Sequence, residues 1–240
     1  MAPLPLFYSG ITVLDRNTHR EARLARAVKT YAFAAGAHVL PALLAEFVPG
    51  GRDMPILFLE EPGGISPLFM VGMRSGESCY VDAEGGWRGF HPPAYLRRYP
   101  FIGGDVSEEQ QVVCVDGGFD GLGDVEGERL FGEDGEPTEV LRNIIAFVSE
   151  YADAAKATAA FTAALKELDL FQTINVEIRS ADGATSNFSG FSAISAERLD
   201  ALPDETWLEL KRKGYLLPIH AHLISLANFG RLGELAQPRA

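Results

Sequence analysis

Two short stretches hold residue types suited to chemistry. The first is HPPAYLRRYPFIGG (91–104), in which adjacent Arg97 and Arg98 lie between Tyr95 and Tyr99. A guanidinium is a planar donor that grips a carboxylate or phosphate through two parallel hydrogen bonds, and flanking aromatic rings can stack on it. Adjacent side chains diverge by about 100° on a helix and point to opposite faces on a strand, so one arginine rather than both faces a given pocket. The expected ligand is an anionic small molecule or an acidic protein partner. The competing reading pairs the arginines with the chain's own carboxylates while Tyr95, Tyr99 and Phe101 pack beneath them. In either case at least one guanidinium must reach a carboxylate, carbonyls or a ligand, because burying an unpaired charge costs more than an aromatic neighbour returns.

The second stretch is IHAHL (219–223). His220 and His222 would share a face and could chelate a metal on a strand. Leu216, Ile219, Leu223, Leu226 and Phe229 repeat at helical spacing instead, which turns the two imidazoles roughly 200° apart. His38, His91 or an aspartate are the remaining candidates for a third ligand, and the spacing favours a core or surface histidine over a metal. No metal or cofactor is called for by the sequence.

Other chemistry-bearing patterns are incomplete. The chain has no nucleophile elbow, P-loop or dinucleotide-binding glycine fingerprint. The acidic, Gly-rich run DGGFDGLGDVEGERLFGEDGE (116–136) suggests a calcium loop starting at Asp116, but Gly127 stands where the bidentate glutamate belongs, so a solvated surface loop is the better reading. Cys79 and Cys114 sit in apolar surroundings (ESCYVDA and QVVCVDG) and are expected to be buried, reduced thiols rather than nucleophiles. Catalytic residues are therefore not assigned.

The elements that must position these residues follow from periodicity. Leu40, Leu43, Leu44 and Phe47 predict a short helix from Pro41 to about Val48, stopped by Pro49-Gly50-Gly51. MPILFLEE, SPLFMVGMR, ESCYVDA and QQVVCVDGG read as strands, expected to form one antiparallel sheet between about Pro55 and Val115. Pro137-Thr138 opens the longest helical pattern, through Leu141, Ile144, Ile145, Val148 and Tyr151, with an Ala-rich middle that leaves a break into two helices open. A hairpin about Ala181-Asp182-Gly183 follows. Helices then start at an N-cap Ser195 and are interrupted at Pro203 and Gly214. This order predicts an α+β fold: an antiparallel sheet in the N-terminal half, a long central helix, a second hairpin and C-terminal helices. One domain spanning 1–240 is expected, with a bilobed division into a β-rich 1–136 and a mostly helical 137–240 as the open alternative.

Composition bounds the function. With 33 acidic against 21 basic residues the net charge is −12, which repels phosphate backbones and argues against nucleic-acid binding. Neither a secretory signal pattern nor an apolar run of membrane-spanning length is read in the sequence, so a cytoplasmic protein without membrane insertion is expected.

The ordered segments PLFY, FAAGAHVLPALLAEF, MPILFLEE, PAYLRRYPF, LFGEDGEPTEVL, ADGATSNFSGFSAI, LDALPDETWLELKRKGYL and HAHLISLANFGRL cover nearly the whole chain and resemble the bacterial SapC family. That resemblance implies an accessory or binding protein associated with a surface-layer system, or with nutrient uptake beside TonB-dependent receptors. It brings no settled reaction. The alternative is a small-molecule or peptide-modifying enzyme whose pocket joins the RRYPF segment, the acidic loop and the HAH helix, bringing Arg97 or Arg98, His220 or His222 and a carboxylate together.

Overall fold

The computed structural model describes residues 4–25, 30–107, 110–179 and 185–236. In chain order the strands are β1 (Ile11–Val13), β2 (Arg23–Leu24), β3 (Val39–Pro41), β4 (Ile56–Glu61), β5 (Gly64–Met70), β6 (Phe101–Ser107), β7 (Gln110–Asp116), β8 (Leu122–Gly123), β9 (Glu128–Arg129), β10 (Phe171–Arg179) and β11 (Thr185–Ile194). The helices are α1 (Phe47–Gly50), α2 (Ala94–Arg97), α3 (Glu139–Glu167), α4 (Ala196–Asp200), α5 (Asp204–Arg212), α6 (Leu216–Ser225) and α7 (Phe229–Leu235). Every strand pairing among the described residues is antiparallel, and the fold is α+β. The chain divides into two units, residues 1–30 with 96–153 and residues 31–95 with 154–240, so each unit draws on both sides of residue 136.

In the first unit, β1, β7 and β6 form a three-stranded sheet and β8, β2 and β9 a second one. Phe101 and Val115, opposite each other in the β6–β7 register, pack with Val148 of α3. Leu130 and Phe131 pack with Ala22 and with Leu141, one helical repeat before Val148. The helix starts where the sequence places it: Thr138 Oγ1 accepts the Leu141 N–H at 3.4 Å, and Glu139 sits in the positive first turn.

In the second unit a five-stranded sheet runs β10-β11-β4-β5-β3. The apolar runs of β4 and β5 face each other from Ile56 opposite Phe69 to Glu61 opposite Gly64. Phe58 at their centre meets Phe171 of β10 and His222 of α6, and Phe47 of α1 meets Phe161 of α3 edge-on at 5.8 Å. Ser225 of α6 ties the helix to β4, accepting the Ile56 N–H at 3.0 Å. Ser195 caps α4 by accepting the Arg198 N–H, Pro203 separates α4 from α5, and Gly214, at φ +73°, turns the chain into α6.

Four local expectations are corrected. Pro41 lies in β3, an edge strand that tolerates a residue with no N–H to donate, and the helical turn begins only at Leu44. Cys79 is outside any strand: its N–H bonds the Val71 carbonyl, and the nearest ladder is the single Val81–Trp87 bridge. Strands between 55 and 115 do not make one sheet, because β4 and β5 are extended by β11 and β3 while β6 and β7 pair with β1. The acidic loop contains β8 and β9, each held by β2. The Ala-rich stretch of α3 is continuous helix, as alanine's high propensity allows. The hairpin of β10 and β11 is present, although its Ala181-Asp182-Gly183 turn lies outside the described residues.

Candidate functional site

Arg97, the last residue of α2, and Arg98 after it belong to the first unit. Their guanidinium groups lie over aromatic rings of α3, Arg97 at 5.2 Å from the Phe147 centroid and Arg98 at 4.2 Å from that of Tyr151. The four-residue spacing of Phe147 and Tyr151 puts both rings on one helix face, which explains how two adjacent arginines find separate stacking partners. The flanking tyrosines have other roles. Tyr95 is buried, and Tyr99 donates its hydroxyl to Asp116 Oδ2 at 2.8 Å. Asp116 Oδ1 accepts from the Ser9 N–H, the Ser9 hydroxyl and the Gly10 N–H at 2.9–3.1 Å. Burial alone would raise the Asp116 carboxyl, but these donors outweigh it and hold it below the usual range. Burial, and then the hydrogen bond to Asp116 and its charge, pushes the Tyr99 hydroxyl up to about 12.

The histidines of α6 part as helical spacing requires. His222 is fully buried, and its Nε2 accepts the Ile194 N–H at 3.0 Å, which fixes the proton on Nδ1. Burial lowers its pKa to about 4 against a weaker opposing effect of the Ile56 backbone. His220 is exposed, with Nδ1 donating to the Leu216 carbonyl at 2.7 Å. The structure therefore gives His222 to the core and His220 to the surface. Among the described residues no group of three metal-ligating side chains occurs.

A different set of residues in the second unit does converge. The helical stop after α1 turns Arg52 and Asp53 toward the segment Trp87–His91. Asp53 is fully buried; its Oδ2 accepts the Phe90 N–H at 2.8 Å, and its Oδ1 has no hydrogen-bond partner among the described residues. Burial raises the Asp53 carboxyl, opposed by the Phe90 N–H and by the charges of Arg231, Arg52 and His91. Its backbone carbonyl accepts from the hydroxyl of Tyr80, whose ring stacks on Trp87 at 5.3 Å. Gly89 is required here, since a Cβ would sit 2.6 Å from Trp87 Nε1 and 2.8 Å from Asp53 Oδ2.

The same segment reaches the surface at Phe90, whose side chain is 67% exposed. Arg52 lies 4.7 Å from its ring centroid and Arg231, from α7, lies 5.7 Å away. One residue on, His91 Nε2 meets Glu46 Oε1 at 2.7 Å, and the same oxygen accepts the Ala94 N–H at 2.6 Å. Glu46 is buried and His91 only partly so. Arginine, histidine and carboxylate side chains do neighbour one another in this unit, but they are Arg52, Arg231, His91, Asp53 and Glu46 and not the expected Arg97, Arg98, His220 or His222. Of these, sequence reasoning had singled out only His91. Arg52 and Asp53 directly follow Gly50-Gly51, and the approach of Asp53 to residues 87–91 is a long-range contact with no local periodic signal.

The sequence profile of the SapC family matches residues 14–232. The chain belongs to the SapC family. No curated protein and no solved structure matches it. Among the described residues of this SapC-family protein, no helix is long and apolar enough to cross a membrane.

Proposed function

We propose that this SapC-family chain is an accessory or binding protein that recognises an anionic group, acting from the cytoplasm with a bacterial surface or nutrient-uptake system. The observation that carries the reading is the exposed Phe90 ring with the guanidinium groups of Arg52 and Arg231 beside it. Two cations held beside one open aromatic face offer a carboxylate or phosphate both charge and a flat apolar contact. The buried Asp53 carboxyl behind them keeps the segment in place through the Phe90 N–H. Affinity purification from a bacterial lysate, with mass-spectrometric detection of retained metabolites and proteins, tests this directly. Retention of an anionic species by the wild type and its loss in Arg52→Gln and Arg231→Gln support the reading, whereas equal retention by all three rejects it.

A second reading, a small-molecule or peptide-modifying enzyme, is favoured by the Glu46–His91 pair. A buried carboxylate that accepts the Nε2 proton leaves His91 Nδ1 as a proton acceptor, the arrangement used in general-base catalysis. His91→Gln would then abolish turnover of the retained compound while leaving its retention intact.

A further inference from the structure

Helix α6 is apolar on two sides, and the fold covers one. Pro218, Ile219, His222 and Ser225 are buried against the second unit's core. Leu217 and Ile224, seven residues apart and therefore on one face, are 67% and 71% exposed, with His220 between them. A helix that is hydrophobic all round belongs in an interior, so the open face of α6 lacks a cover.

The neighbouring helix extends this face. The Trp207 ring of α5 lies 6.4 Å from that of His220, and the next residue, Leu208, is 48% exposed. Leu208 stands between the two charged ends of α5, with Asp204 and Glu205 one turn before it and Lys211 and Arg212 one turn after; Lys213 follows at the helix end, and all three cations are exposed. None of the three has an ion-pair partner among the described residues, although carboxylates outnumber cations 33 to 21 in the chain. The unpaired cations gathered at the C-terminal end of α5, away from its acidic first turn, form a small positive patch in an acidic protein, beside an uncovered apolar stripe.

We infer that the α5–α6 face docks a short amphipathic segment of a partner protein, with apolar residues against Leu217 and Ile224 and carboxylates against Lys211, Arg212 and Lys213. The distance from Leu217 to Ile224 is about 10 Å along the helix axis, enough for two turns of a partner helix. A bilayer suits the surface less, because a chain of net charge −12 is repelled by anionic lipid outside this narrow patch. Charge complementarity with a single acidic segment supplies both orientation and encounter rate.

Fluorescence anisotropy with two synthetic peptides of the same leucine pattern, one flanked by glutamates and one by lysines, tests the inference. The glutamate peptide should bind and the lysine peptide should not. Ile224→Glu and Leu217→Glu should each weaken binding at least about tenfold. Reversing the basic triplet to glutamates should transfer the preference to the lysine peptide, with thermal midpoints of these surface variants near that of the wild type. Failure of the glutamate peptide to bind, binding unaffected by Ile224→Glu, or equal binding of both peptides overturns the inference. So does sedimentation with phosphatidylglycerol vesicles in place of peptide binding, or wild-type self-association lost in Ile224→Glu. The anionic site at Phe90 lies outside this test and stands or falls separately.

Discussion

The Tyr99 hydroxyl donates to Asp116 at 2.8 Å, and through that carboxylate the end of β7 holds both the RRYPF segment and the chain at Ser9-Gly10. Asp116 thereby joins three pieces of the first unit that are distant in sequence. Hydrogen bonds to a charged acceptor contribute about 1.5–3 kcal/mol each, and deleting the acceptor leaves several donors without it. Asp116→Ala should cost about 3 kcal/mol and Tyr99→Phe about half that, read from denaturant midpoints. Because the folded carboxyl lies below its ordinary value, its contribution is complete above about pH 4 and is lost as the pH falls through the lower folded value. Asp116→Asn should therefore flatten the stability curve below pH 4.

His222 gives a separate acid limb at higher pH. Its folded pKa of about 4 lies below the unfolded value near 6.5, so the unfolded chain takes up the proton first. Stability is full above about pH 6.5, falls as the pH drops toward 4, and loses roughly 3 kcal/mol over that window. His222→Gln keeps an acceptor for the Ile194 N–H but does not titrate. Thermal midpoints at pH 7 and pH 5 should therefore differ less in this variant than in the wild type.

The two arginines of the RRYPF segment should behave differently. Arg98 is half-buried over Tyr151, whereas Arg97 is exposed over Phe147. A cation–π contact strengthens as water is excluded from it, so Arg98→Gln should cost about 1 kcal/mol and Arg97→Gln less than about 0.5 kcal/mol. Equal losses in chemical denaturation would show that burial does not set the difference.

What was legible in the sequence was local. The 3.6-residue repeat from Leu141 to Tyr151, the alternation in β10 and β11, the Ser195 cap and the Gly214 break each depend on neighbours in the chain, and each appears in the fold. Helical spacing also separated His220 from His222 correctly. Sheet membership was not legible, because the β4 partner β11 lies about 130 positions away and nothing in MPILFLEE encodes it. The Phe90 surface was hidden for the same reason: Arg52 and Arg231 reach one ring from opposite ends of the unit's sequence.

Asp53 carries the last prediction. Its carboxyl is raised by burial, so the fold favours the protonated form; this group's contribution is present at acidic pH and is lost as the pH rises through its folded value. Asp53→Asn keeps an oxygen for the Phe90 N–H and removes the buried charge, so its thermal midpoint at pH 7 should equal or exceed that of the wild type. Asp53→Ala removes the acceptor as well, leaves the Phe90 N–H unpaired and should lose about 1–3 kcal/mol. The same pair reads the chemistry of the surface. Removing a negative charge behind Arg52 and Arg231 strengthens their field, so Asp53→Asn should bind an anionic ligand more tightly, whereas Asp53→Ala releases the Phe90 segment and should bind it less well. Calorimetry and melting of both variants at pH 7 check the two effects together. A loss of stability in Asp53→Asn equal to that in Asp53→Ala would mean that the charged carboxylate, and not its hydrogen bond, holds residues 87–91.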